Sequence, residues 1–334
     1  MQKNTICRKI RRITKEGVIF KNKITIIGAG KVGSTIAYTL SVMNLAKDIV
    51  MIDINHELAL GEALDIRQGT PFSSNCSVYA GDYPDAANSN IVVITSGVAR
   101  KPGQSRLELA QTNVNIMKSI MPQVTKYAPD AMYIIVSNPV DILTYQWCKR
   151  SGLPENHIIG SGTILDTARL KARLSEYYNI SQSNVHAYVF GEHGDSSFVP
   201  WSLANISNIP VTDFRNKVEG DMSMAPELNT ADVEQYIRKS GGRVIARKGA
   251  TFYAVAVSVC HICKCLLDGM DTTLTVSTMM HGEYGIEDVC LSVLNTVGWE
   301  GVHSKLLAPL TEEETGLLRH SADVLKDVIS NLDI

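Results

Sequence analysis

The 334-residue chain has few aromatic residues, 6% with three tryptophans, and no excess of either charge: 32 lysines and arginines stand against 34 acids. Without a basic surplus there is no electrostatic footprint for a polyanion, so no nucleic-acid partner is expected. Long apolar runs are also missing. The stretches 24–27, 91–94 and 133–136 are strand-sized and fall far short of the roughly 20 residues that cross a bilayer, so no membrane partner is expected. Paired cysteine spacings are absent as well: seven cysteines, an odd number, do not make a disulfide framework and point to a reducing, cytoplasmic setting. Cys260, Cys263 and Cys265 cluster with His261. Their segment, 250–267, reads as a buried helix with no second ligand pair at zinc-site spacing, so no metal is expected.

What is present is ordinary globular composition, 45% hydrophobic and 20% charged, in a chain too long for one compact core. Residues 1–22 stand apart as a basic extension, with Lys3, Arg8, Lys9, Arg11, Arg12, Lys15 and Lys21 against the single acid Glu16. Lacking an apolar secretory core, it reads as a solvated or subunit-contacting arm, an organelle presequence, or a start assigned too far upstream. From 23 to about 137, short β-branched runs at 24–27, 49–52, 77–79, 91–95 and 133–137 alternate with amphipathic stretches. Continuous apolar runs mark strands buried on both faces, hence a parallel sheet with crossover helices. Beyond 162 the pattern changes to long helices, 164–178 and 233–248, with antiparallel strands expected near 184–190, 273–279 and 289–297, and an amphipathic helix from Thr311 to the end. The expected fold is therefore α/β, a doubly wound parallel sheet over 23–162 followed by an α+β domain over 163–334.

The segment KITIIGAGKVGSTIAYTL puts Gly28, Gly30 and Gly33 after the first strand and at the mouth of a helix. Glycine permits the tight turn, lets backbone approach a pyrophosphate, and lets helix pack against strand, while the helix N-terminus offers free N–H groups. Asp53 follows Gly33 by twenty residues, at the end of the second strand. Its carboxylate suits adenosine ribose hydroxyls and repels a 2'-phosphate, so this Rossmann-type site is expected to take NAD rather than NADP.

Four further segments occur in order: ARKPGQSR with Arg100 and Arg106, VSNPVD with Asn138, LDTAR with Asp166 and Arg169, and GEHGD with His193. Together with the glycine fingerprint they resemble the L-lactate and L-malate dehydrogenase family from about residue 23 to the C-terminus. That resemblance implies reversible reduction of a small 2-oxo acid. Histidine, with a pKa near working pH, suits the proton transfer, which falls to His193. Asp166 is implied as its ring partner, and Arg169, three residues on, as the bidentate grip on the substrate carboxylate. Arg106, on a mobile loop at about 97–107, would polarise the carbonyl, and Asn138 would hydrogen-bond near the same oxygen and the cofactor.

The substrate is where the resemblance divides. GSGTILDTAR, GEHGDSSFVPWS and RKGATFY, with Thr251 at a pocket position, look like the lactate branch. Arg100, where lactate enzymes usually carry glutamine, and Gln104, where they usually carry glutamate, look like the malate branch. A lactate dehydrogenase-like enzyme that admits or favours oxaloacetate is the leading expectation; a dedicated malate dehydrogenase and a redox-inert NAD-binding protein are the alternatives. The resemblance further implies a homo-oligomer, dimer or tetramer. Lys171 and His186 match the positions through which allosteric bacterial members bind fructose 1,6-bisphosphate, with lysine standing in for arginine.

Overall fold

The computed structural model describes residues 22–99, 103, 105–219, 227–268 and 270–334. The first strands are β1 (Lys23–Ile27), β2 (Asp48–Ile52), β3 (Ser77–Ala80), β4 (Ile91–Ile94), β5 (Met132–Ile135) and β6 (Ile158–Gly160). The helices that accompany them are α1 (Lys31–Val42), α2 (His56–Gly69), α3 (Arg106–Tyr127) and α4 (Val140–Arg150). All six strands pair in parallel in the order β3-β2-β1-β4-β5-β6. Strand order reverses between β1 and β4, and a crevice opens there beyond the strand C-termini.

The apolar runs are continuous because both faces of this sheet are covered. Ile24, Ile26, Ile49 and Met51 enter one core cluster, whereas Ile27, Val50 and Ile52 enter another. Successive side chains of a strand point to opposite faces, so both sets must be apolar when both faces are buried.

The second half contributes α5 (Ile164–Tyr178), β7 (Val185–His186), β8 (Asn205–Ile206), β9 (Ile209–Pro210) and α6 (Val211–Phe214). These are followed by α7 (Thr230–Arg238), α8 (Ser240–Lys248), α9 (Tyr253–Leu267), β10 (Thr272–His281), β11 (Glu287–Gly298), β12 (Gly301–Lys305) and α10 (Glu312–Ser330). The short strands β7, β8 and β9 pair antiparallel in a small three-stranded sheet of their own, but the long antiparallel strands do not form a separate sheet. β10 joins β6 through Ser277 and Gly160, and β11 and β12 extend the same sheet to nine strands. Glycine is required at 160 because a Cβ there would lie 2.3 Å from Thr144 Oγ1 and 2.8 Å from Ser277 Cβ.

Two expected elements differ. The single helix over 233–248 is broken at Lys239 into α7 and α8; Gly241 and Gly242, without side chains to pack, follow the break and face a cavity. The strand expected over 184–190 shrinks to Val185–His186 plus an isolated bridge between Phe190 and Phe198, because the chain turns there to make the GEHGD loop. The last helix starts as expected, with Thr311 and Glu314 forming a reciprocal capping box. Cys260, Cys263 and Cys265 are buried on α9, and burial raises all three thiol pKa values. Among the described residues, no helix is long and apolar enough to cross a membrane.

Candidate active site

Four elements converge at the C-terminal side of the parallel strands. A cavity of about 420 Å³ opens there, lined by Asn138, Asp166, Arg169, His193 and Thr251, with Gly97 to Ala99 and Val32 on the side of the glycine loop. Sequence positions separated by more than a hundred residues thus meet around one space.

The centre is a hydrogen-bonded chain of charges. Asp166 lies in the first turn of α5 and is buried. Its Oδ2 is 2.5 Å from His193 Nδ1, and its Oδ1 accepts from Arg169 Nη1 at 2.8 Å. Burial by itself would raise the Asp166 pKa, but the charges and hydrogen bonds of His193 and Arg169 outweigh it and hold the group below its ordinary value. In return, the negative charge of Asp166 raises His193 to about 9 against the opposing effect of burial. The imidazolium form is therefore stabilised, with Nδ1 committed to the carboxylate and Nε2 left as the other ring nitrogen.

The turn carrying His193 is anchored from three directions. Gly191 N donates to Ser292 O at 3.0 Å, Glu192 N to Ser321 Oγ at 2.8 Å, and His193 N to Asp141 Oδ2 at 2.7 Å. Gly191 has φ +91°, and a Cβ there would meet Ser321 Oγ at 2.6 Å. Both facts call for glycine.

The glycine loop fits a dinucleotide. Gly28 has φ +107°, and a Cβ on Gly33 would lie 1.9 Å from Gly28 O, so α1 packs against β1 only as glycine. A Cβ on Gly30 would meet no protein atom within 4 Å, which leaves open space at the mouth of α1 for a phosphate-bearing ligand. Asp53 closes the loop: Oδ2 accepts from Ala29 N at 2.7 Å and Oδ1 from Asn55 N at 2.8 Å. Each oxygen keeps acceptor capacity for a ribose hydroxyl.

Other predicted residues are distributed unevenly. Arg106, the first residue of α3, pairs with Asp195 at 2.5 Å, both side chains being 73% exposed; Asp195 lines the cavity, whereas Arg106 is drawn toward that acid. Arg100 and Gln104 lie outside the described residues. Lys171 is half-buried with its ammonium 5.8 Å from the Tyr188 ring, and burial lowers its pKa. His186 is exposed on β7, and neither residue lines the cavity.

Three residues at the site were not anticipated from sequence. Asp141 is one; Asn113 is another, buried on α3, accepting from Val98 N at 2.9 Å and donating to Asn138 O at 2.7 Å. It ties the base of the loop to Asn138. A lone polar residue among Ala110, Val114 and Met117 on the buried face of α3 is the signal that could have found it. Arg238, the third, lines the cavity and donates to Ser197 O at 2.7 Å.

Fold and site together define a dehydrogenase of the dinucleotide-binding type. The chain matches the models for the lactate/malate dehydrogenase NAD-binding domain over residues 22–160 and the lactate/malate dehydrogenase alpha/beta C-terminal domain over 163–333. It is 45% identical over 317 residues to the L-lactate dehydrogenase of Thermoanaerobacterium saccharolyticum, covering 94% of this chain and 100% of that one. It is 43% identical over 312 residues to that of Acetivibrio thermocellus, covering 93% and 98%. Among solved structures, a minor L-lactate dehydrogenase from Enterococcus mundtii superposes with a TM-score of 0.89 at 34% identity, covering 94% of this chain and 99% of that one. L-lactate dehydrogenase from Clostridium thermocellum gives 0.83 at 38%, covering 94% and 100%. The protein belongs to the lactate/malate dehydrogenase family and is an NAD-dependent oxidoreductase.

Proposed function

We propose that this enzyme interconverts pyruvate and L-lactate through His193 and that Arg100 extends its range to oxaloacetate and malate. The observation that carries the first part is the His193–Asp166–Arg169 chain at the cavity wall. NADH, when bound, supplies the hydride. His193 holds the accompanying proton at Nε2, and Asp166 fixes the tautomer and stabilises the imidazolium. Arg169 sets a cation at the same wall for the substrate carboxylate, with Nη1 shared with Asp166. Asn138 orients the carbonyl, and Arg106 polarises it after exchanging Asp195 for the substrate, a change that also excludes water. The names of the relatives support pyruvate and lactate.

The dicarboxylate range rests on the sequence at 99–103, ARKPG. Pyruvate brings one carboxylate, which Arg169 neutralises. Oxaloacetate brings a second, and a guanidinium at 100 removes the cost of burying it unpaired. The working form is a homo-oligomer placed in the cytoplasm. In His193→Asn, NADH affinity measured by fluorescence titration should stay near wild type while turnover falls by on the order of 10² or more. Near wild-type turnover would overturn the role of His193.

A further inference from the structure

Among the backbone N–H groups that anchor the catalytic turn, one meets a full charge. Gly191 and Glu192 donate to a carbonyl and a hydroxyl, but His193 N donates to the carboxylate of Asp141. Asp141 is itself buried, only 3% exposed, and its second oxygen accepts from Ser277 Oγ at 2.6 Å. Both oxygens are therefore committed, one to the turn and one to β10.

The surrounding sequence is arranged to hold the carboxylate in place. Asp141 sits in the first turn of α4, where free N–H groups and the helix dipole favour a negative charge. Ser277 approaches because Gly160 has no side chain to separate β10 from β6. A buried carboxylate is costly unless hydrogen bonds satisfy it, as those from His193 N and Ser277 do here.

We propose that Asp141 is a positioning residue for proton transfer: its carboxylate fixes the backbone of His193, and its charge is a second anion, beside Asp166, that favours the imidazolium. The inference rests on His193 being the proton donor. The charged groups facing His193 are Asp166 and Arg169 of α5 and Asp141 of α4. On its own turn are Glu192 and Asp195, the latter paired with Arg106 of α3. Asp141 adds to the effect of Asp166 in raising His193, and Arg169 opposes both. Burial raises Asp141 itself to about 6, against hydrogen bonds from Ser277 and His193 that pull it down. It is therefore ionised at neutral pH and loses its charge in mild acid.

Asp141→Asn separates charge from shape, because the amide oxygen can still accept from His193 N and the amide nitrogen can donate to Ser277. In this variant the alkaline limb of kcat/KM for pyruvate reduction, where His193 loses its proton, should move about half to one unit toward acid. The acidic limb for lactate oxidation, where neutral imidazole is needed, should move the same way. Oxidation then gains at lower pH while reduction loses at higher pH. Asp141→Ala removes the anchor too and should lose a further ~10- to 100-fold in kcat with NADH affinity kept within about twofold. Should the alanine variant fail to fold, the asparagine profile alone decides. Profiles of Asp141→Asn that overlay the wild type in both directions would overturn the proposal. His193→Asn keeps the two readings apart: turnover surviving in it defeats the proton-donor reading, whereas a dead His193→Asn with an unmoved Asp141→Asn profile defeats only Asp141.

Discussion

At the scale of single residues, Asp53 has two tasks. It pins the glycine loop through Ala29 N and the following turn through Asn55 N, and in the proposed cofactor site its negative charge would oppose a 2'-phosphate. Asp53→Ser should therefore relax NADH preference, narrowing the ratio of kcat/KM for NADH over NADPH by about tenfold or more, while also raising the KM for NADH through the loosened loop. Equal use of the two cofactors by the unmodified enzyme would contradict this account of the ribose site. Asp53, His193, Asp166 and Arg169 are legible in sequence because each sits in a short local motif. The roles of Asp141, although it closes the VSNPVD segment, and of Asn113 are not, because their meaning lies in contacts with distant chain: Asp141 meets the backbone at 193 and the hydroxyl at 277, and Asn113 meets Val98 and Asn138.

Among the elements, α1 and the loop before it distinguish two kinds of glycine. A methyl on Gly33 would overlap Gly28 O and crowd Thr95 Oγ1 at 2.8 Å, so helix and strand must part. Gly33→Ala should cost about 1 to 3 kcal/mol of stability, read as a lowered Tm, and should weaken NADH binding at least about tenfold. A methyl on Gly30 meets no protein atom and points into ligand space. Gly30→Ala should leave Tm unchanged and still weaken NADH binding; equal Tm losses in both variants would contradict the assignment. The parallel strands are readable because a run apolar at every position, as in β4, is what two buried faces demand. The break between α7 and α8 is harder to read: 233–248 keeps helical periodicity, and the interruption at Lys239 lies beside Ser240, Gly241 and Gly242, of which the two glycines line the cavity.

At the scale of the whole molecule, one nine-stranded sheet runs through both halves of the chain. β10 continues it from β6, so the strand that bears Ser277 is in register with the strand that follows the dinucleotide fold. The active site is thus braced by β-structure from both halves of the chain, and the antiparallel strands read from sequence could not by themselves reveal that they extend the first sheet. The proposed dicarboxylate range rests on Arg100, which lies outside the described residues. Arg100→Gln should shift preference toward pyruvate by ~2 to 4 kcal/mol of transition-state discrimination, roughly 30- to 1,000-fold in the ratio of kcat/KM values, because glutamine cannot neutralise a second buried carboxylate. The most direct test is steady-state NADH oxidation by the native enzyme with pyruvate and with oxaloacetate under identical conditions. The account predicts turnover of both, with kcat/KM for oxaloacetate at least equal to that for pyruvate; a strong preference for pyruvate, or NADH left unoxidised with either acid, would contradict it.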